Sequence, residues 1–301
     1  MERPLLKPWY RLSVDSGRSV LRYAGSVLEF DGAAAERLLP HLLPLLDGTR
    51  TVDDVVAELG EPVRPAVEHA LSLLRGHDLL TEAAPGGSAT GSAELIAATS
   101  GMTIAEIQER LPLVDVHVLG SGPPAERIGR LLHASGVGSV ASLEWNAAPP
   151  GRGIVVAVPA SAELPSLVEW NRAALESCTT WLQVLPFDGR LAAVGPVFVP
   201  GETACHECFR QRRDATIAPV RDTARGNYLG SPALDAVLAG LAAHVVLQQA
   251  CGGAGAGVLL AVEPGPEPRC TRHFVYRVPR CPACSPAARR AAPAPWSDVA
   301  A

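Results

Sequence analysis

Residues Leu113–Trp145 read LVDVHVLGSGPPAERIGRLLHASGVGSVASLEW. Val114–Leu119 is mostly apolar and has the length of a buried strand. Gly120-Ser121-Gly122 supplies a turn, Ala125–Ala134 a helix and Gly136-Val137-Gly138 a second turn. Ser139–Leu143 is then a second strand, ending at Glu144. A strand, a crossover helix and a strand predict parallel pairing, and so an α/β domain of Rossmann-like type. Gly120-x-Gly122-x-x-Ala125 fits the dinucleotide fingerprint, with Glu144 about where a ribose-binding acid stands. Pro123 and Pro124 work against the chemistry of that fingerprint. Together they remove two backbone N–H donors where a helix start would cradle a phosphate. Lys7 is the only lysine of the chain, so no lysine lies nearby. The expectation is the fold with its nucleotide site lost, and no cofactor-binding residue is assigned.

Downstream, Ile154–Val158 and Trp181–Pro186 read as further strands, with a helix over Leu164–Ser177 between them. Val194–Gly201 then leads to Cys205-x-x-Cys208, and Phe274–Val278 reads as the strand that delivers Cys281-x-x-Cys284. Pro200-Gly201 bends the chain before the first pair, and Pro282 lies inside the second. Four thiolates in two such pairs can close a tetrahedral shell around Zn2+ with no open position, which makes the site structural. Ser231-Pro232 opens an apolar helix, Ala233–Ala250, whose near-all-round apolarity implies burial in the core or at a subunit interface. A homodimer or heteromer is consistent with it. Val258–Val262 is another strand, and the Ala/Pro/Arg-rich segment 287–301 reads as a loose tail.

Upstream of Leu113, the stretch Ala83–Ser92 (AAPGGSATGS) has the composition of a linker, and Thr103 with Glu106 forms a capping box for a following helix. The first 82 residues hold three short strands on tight turns: Trp9–Val14, Ser19–Tyr23 and Ser26–Phe30, with turns at Asp15–Arg18 and Ala24-Gly25. Three helices follow. Ala33–Leu46 carries Pro40 and Pro44, which must bend or split it. Thr51 and Asp54 cap the second, which Gly60 ends. The third starts near Val63, is apolar at Val67, Ala70, Leu71 and Leu74, and stops at Gly76. The order is that of a small winged-helix-like α+β unit. The divisions are thus 1–82, a linker with helices over 83–112, an α/β domain over 113–286, and the tail.

Composition narrows the function. With 48% hydrophobic residues the 301-residue chain can bury two cores. Its net charge of −5 provides no basic field for nucleic acid. No apolar run is expected to span a bilayer, and the start MERPLLKPWYRL lacks the apolar run of a signal peptide. Three cysteines remain outside the metal set, Cys178, Cys251 and Cys270. An odd remainder with no export signal predicts the cytoplasm, with these three as buried or inert thiols.

Two resemblances rest on these residues. The three strands, the Phe30-Asp31-Gly32 entry and DGTRTVDDVVAEL (47–59) resemble the PqqD-like recognition domain of enzymes that modify ribosomally made peptides. The resemblance implies that a precursor's leader peptide adds a strand beside the third strand. The edge would be Val27, Leu28, Glu29 and Phe30, and the groove wall Val67, Leu71, Leu74 and Arg75. Strand addition of this kind uses unpaired backbone groups for affinity and alternate side chains for selection. LGSGPP…SLEW resembles the ThiF-like superfamily. GPVFVPGETACHECFRQRRD, the apolar helix and VPRCPACSP are similar to the ThiF-like component of azoline-forming cyclodehydratases. In that family a leader-binding partner protein (F protein, or C component) recruits the substrate, while a separate YcaO-type protein binds ATP. The resemblance implies a non-catalytic scaffold with no catalytic residue. An active ThiF-like adenylating enzyme is the alternative; an NAD(P)-linked oxidoreductase and a zinc-stabilised DNA-binding regulator are the more remote ones.

Overall fold

A computed structural model describes residues 3–15, 18–23, 26–82, 91–160, 163–216, 230–252 and 256–285. The turns expected at Ser16-Gly17 and Ala24-Gly25, most of the linker and the tail from 287 lie outside the described residues. The chain divides into two compact units, Met1–Arg110 and Leu111–Ala301.

In the first unit β1 (Pro4–Leu6) is followed by a meander of β2 (Arg11–Asp15), β3 (Arg18–Tyr23) and β4 (Ser26–Phe30). The meander is antiparallel, with Leu12 opposite Leu21 and Leu21 opposite Leu28, so one face is apolar. That face meets α1 (Ala33–Leu42), α2 (Val52–Leu59) and α3 (Arg64–Gly76) around a core that includes Leu21, Leu42, Val55, Val56, Val67 and Leu74. Pro40 lies inside α1, and the next proline falls in a separate 3-10 turn over Leu43–Leu45, so the prolines do split the apolar run. Both halves of the Thr51–Asp54 capping box form. Gly60, at φ 99, ends α2 in a conformation that a side chain would resist. The third helix stops at Gly76, as expected, and the turn that follows places Asp78 at φ 58, a left-handed position that aspartate tolerates. Two short strands were not foreseen: β1 pairs with β5 (Leu80–Glu82), and three-residue strands carry no periodic signal. Gly91 and Ser92, read as linker, begin α4 (Gly91–Ser100), which packs on α5 (Ile104–Arg110).

The second unit is a seven-stranded sheet. Its strands are β6 (Asp115–Leu119), β7 (Ser139–Leu143), β8 (Ile154–Ala157), β9 (Thr180–Leu185), β10 (Ala192–Phe198), β11 (Val258–Glu263) and β12 (Arg269–Phe274). Their order is β12-β11-β10-β9-β8-β6-β7. From β7 to β9 the pairing is parallel, as α6 (Pro123–Ala134) and α7 (Ser166–Glu176) require of crossover connections; from β9 to β12 it is antiparallel. This is a mixed sheet with a Rossmann-like parallel half. Gly120 shows why the turn after β6 needs glycine: its φ is 106, and a Cβ there would stand 2.5 Å from the Val158 carbonyl oxygen.

Two expectations are corrected. Phe274–Val278 is not a strand; the strand is β12, which ends at Phe274, and all six of its residues are exposed. Val194–Gly201, read only as an approach to the cysteines, begins within a fully buried strand, β10. One helix among the described residues, α9 (Pro232–Ala250), is long and apolar enough to cross a membrane, with a mean hydropathy of 1.4. Its side bearing Leu234, Leu238, Ala242, Val246 and Leu247 is buried, and the helix packs on α6 and β10.

Candidate metal centre

After β10 the chain turns at Gly201 and enters α8 (His206–Thr216), which begins between the first two cysteines. Thr203 fastens this turn: its hydroxyl accepts from the Val199 N–H at 2.8 Å. The second pair arrives on the loop after β12. Arg212, on α8, donates from Nε to the Tyr276 carbonyl at 2.6 Å and from a terminal nitrogen to the Arg277 carbonyl at 2.9 Å. Arg277 donates from Nε to the Thr203 carbonyl at 2.8 Å. Both segments are therefore stitched together beside the cysteines as well as through them.

The Sγ atoms of Cys205, Cys208, Cys281 and Cys284 all lie within 4.8 Å of one another. Cys205 is 3.9 Å from Cys208 and 3.8 Å from Cys281, and Cys208 is 3.6 Å from Cys284. A tetrahedron with metal–sulfur distances of about 2.3 Å has edges of about 3.8 Å, so the four sulfurs fit a single ion. Cys205, Cys208 and Cys281 are buried, and Ala204, Leu175 and Val278 close the surroundings. The Val278 N–H points at Cys208 Sγ from 3.3 Å, an orientation that favours thiolate. Hydrogen bonding from Cys205 draws the Cys208 thiol down to about 4, whereas the same bond and burial push Cys205 up. Burial also pushes Cys284 up to about 11. Metal ions bind cysteine as thiolate, so a cation held here would displace the protons of its ligands. With four sulfur donors the shell is complete, so the arrangement holds chain and offers no position to a reactant.

A buried polar group that sequence reasoning missed lies beside the centre. The His206 N–H donates to Asn171 Oδ1 at 3.0 Å, and His206 Nδ1 lies 2.9 Å from Gln183 Oε1. The imidazole packs among Trp181, Phe198 and Phe209, and burial holds its basicity down to about 4, so the ring is neutral. Asn171 comes from α7 and Gln183 from β9, so this group ties the start of α8 to the sheet. The one signal in the sequence was a histidine set between two cysteines.

The glycine turn after β6 forms as expected, with Gly122 at φ 93 and Pro123 and Pro124 in the first helical positions of α6. Glu144 is exposed beyond β7. Trp145 follows it, and its indole nitrogen stands 3.6 Å from where a Cβ on Gly120 would be.

The residues expected to hold a peptide lie in the first unit. β4 is an edge strand, with Val27 55% exposed, Glu29 exposed and Leu28 and Phe30 half-buried against the core. Val67, Leu71 and Leu74 are buried in that core, and Arg75 is exposed. Of the three remaining cysteines, Cys251 is buried, but Cys178 and Cys270 are exposed. Cys178 lies past the end of α7 rather than in a helix, at φ 54.

No protein-family model matches the chain, and no curated protein matches it. Solved structures do. A heterocyclase in complex with substrate and cofactor superposes with a TM-score of 0.73 at 22% identity, covering 94% of this chain and 40% of that chain. The heterocyclase TruD gives 0.72 at 22% identity, covering 94% and 43%. Escherichia coli MccB, solved with ATP, gives 0.64 at 13% identity, covering 94% and 99%. This chain thus spans about two-fifths of the heterocyclase chains and nearly all of MccB. At such identities the likeness establishes a shared fold.

Proposed function

We propose that this protein binds the leader of a ribosomally made precursor peptide and presents it to a separate, YcaO-type ATP-dependent cyclodehydratase that forms azoline rings. The observation that carries the reading is the likeness of fold to two heterocyclases, which match 94% of this chain with TM-scores of 0.73 and 0.72, together with the open edge of β4 in the first unit. On this reading the chain is the recruiting portion, and a YcaO-type partner uses ATP. The leader adds to the open edge of β4 in a PqqD-like domain, with Leu28 and Phe30 on one face and Val27 and Glu29 on the other. A leader held there raises the effective concentration of every cyclisable side chain behind it, so one recognition event serves several rings. Zinc in the four-cysteine site is structural: it holds the α8 knuckle to the loop after β12. The two prolines at the start of α6 support the absence of ATP chemistry in this chain, because phosphate would find two donors missing.

The test begins with affinity purification of the tagged chain from its own cells and identification of the co-purifying peptide. Calorimetry then compares that peptide's leader with its leaderless core. The expected outcome is binding of the leader alone; equal affinity for the core defeats the reading. A second reading, adenylation of a peptide, draws on MccB, whose whole length this chain matches and which has been solved with ATP and with N-formylated MccA. Pyrophosphate exchange by the isolated chain decides between the two: the scaffold gives none.

A further inference from the structure

β12 ends the large sheet, and all six of its residues are exposed. Its register with β11 is continuous from Val258↔Phe274 to Glu263↔Arg269, so no bulge twists this edge away. The strand, RCTRHF, contains neither proline nor acid. Half of its backbone N–H and C=O groups face outward, as on any edge strand.

A row of flat side chains runs along one face of this edge. The Arg272 guanidinium lies over the Phe274 ring at 5.6 Å. Phe274 stacks on Tyr276 at 6.3 Å with the planes 26° apart. Arg212 covers Tyr276 at 6.0 Å. Phe274 is 60% exposed and Tyr276 65%. Charged side chains alone would guard an edge against aggregation. Guarding does not call for two exposed aromatic rings between arginines, and that combination is typical of the energetic centre of protein interfaces. The charge is one-sided as well. Arg269 has Glu267 at 3.7 Å, but among the described residues Arg272, Arg212 and Arg277 pair with no carboxylate. Among the described residues these three guanidinium groups thus have no carboxylate beside them, Arg212 and Arg277 being bonded to backbone carbonyls, in a chain whose net charge is −5.

We propose that the outer edge of β12, with the row Arg272–Phe274–Tyr276–Arg212, docks an acidic extended segment of a partner protein, which joins the sheet as an eighth strand. A second copy of β12 suits the edge poorly, because it would bring more arginine and no acid. The metal centre has a role in this surface. Val278 bonds to Cys208 Sγ, and Arg212 and Arg277 fasten the same loop to α8, so the four cysteines hold the aromatic row in place. This inference rests on the second unit and is independent of leader binding by β4.

The probe is a fluorescein-labelled alternating Thr-Glu peptide of about ten residues, long enough to cover the strand. Its anisotropy is followed on the full chain as purified, beside a Thr-Lys peptide and a Pro-Glu peptide that has the same charge but cannot pair as a strand. The Thr-Glu peptide is expected to bind at least about tenfold more tightly than either control, and more weakly as salt rises. Arg272→Glu, and Phe274→Ala combined with Tyr276→Ala, should each weaken it about tenfold or more while the thermal melt stays unchanged, since all three side chains are exposed. Any of four results overturns the proposal: no binding, equal binding of the Pro-Glu peptide, indifference to Arg272→Glu, or a dimer that this substitution disperses. The last would assign the edge to a second copy.

Discussion

Cys208 Sγ takes the Val278 N–H and lies within 3.9 Å of both Cys205 and Cys284. Replacing it with serine removes a soft donor and leaves three thiols around a site built for four. Metal analysis of Cys208→Ser should therefore fall from about one zinc per chain to well below that, whereas Cys178→Ser and Cys270→Ser, both exposed and outside the set of four, should leave it unchanged. Asn171 makes a different case. It is 3% exposed, and its Oδ1 accepts the His206 N–H, so Asn171→Ala leaves a buried donor unpaired. The expected loss is about 1–3 kcal/mol in urea unfolding, with no change in metal content. These two sites also show what a sequence discloses. The ligands come as two C-x-x-C pairs, and each pair is a local pattern with one familiar chemistry. Asn171 and Gln183 stand 35 and 23 positions from His206, the one in an amphipathic helix and the other in an apolar strand, where nothing local marks them as its partners.

Among the elements, those whose ends are set by their own residues were legible. Thr51 and Asp54 announced α2, and Thr103 and Glu106 announced α5, because a capping box is a contact between near neighbours. Elements defined by what lies beside them were not. β1 and β5 exist because they pair across most of the first unit, and β12 is visible only as the neighbour of β11. Its arginines carry no strand signal because strand patterns are expected to have a buried face, and this edge has none. The capping boxes carry a pH dependence. Hydrogen bonds from the Thr51 hydroxyl and N–H hold the Asp54 carboxyl below its ordinary range, and those from Thr103 do the same for Glu106. A carboxylate lowered on folding contributes stability above its unfolded value, and the contribution is lost as pH falls through the folded one. Thr51→Ala should thus lower the urea midpoint of the first unit at neutral pH, and the difference from the parent should shrink towards about pH 3. A difference that stays constant with pH would mean that the carboxylate takes no part in the cap.

At the scale of the molecule the two units use different means of stability. The first is closed by an aliphatic core running from Leu21 to Leu80, and it contains none of the seven cysteines. The second adds to its sheet a clip between residues 76 positions apart, Cys205 to Cys281 and Cys208 to Cys284. An ion in that clip binds the folded second unit far better than the unfolded one, so its binding free energy adds to that unit's stability and to no other. Calorimetry of the full chain should accordingly resolve two transitions. Prolonged incubation with a strong chelator should move one of them down, and Cys208→Ser should move the same one without chelator. Thr51→Ala identifies the other, because only the first unit depends on that cap. If chelator displaces both transitions together, the units unfold as one body and the metal supports both. If metal analysis finds no zinc and the chelator moves neither, the four sulfurs are a cluster of buried thiols. The expected pattern, one transition governed by metal and one by the α2 cap, follows from where the cysteines lie in the chain.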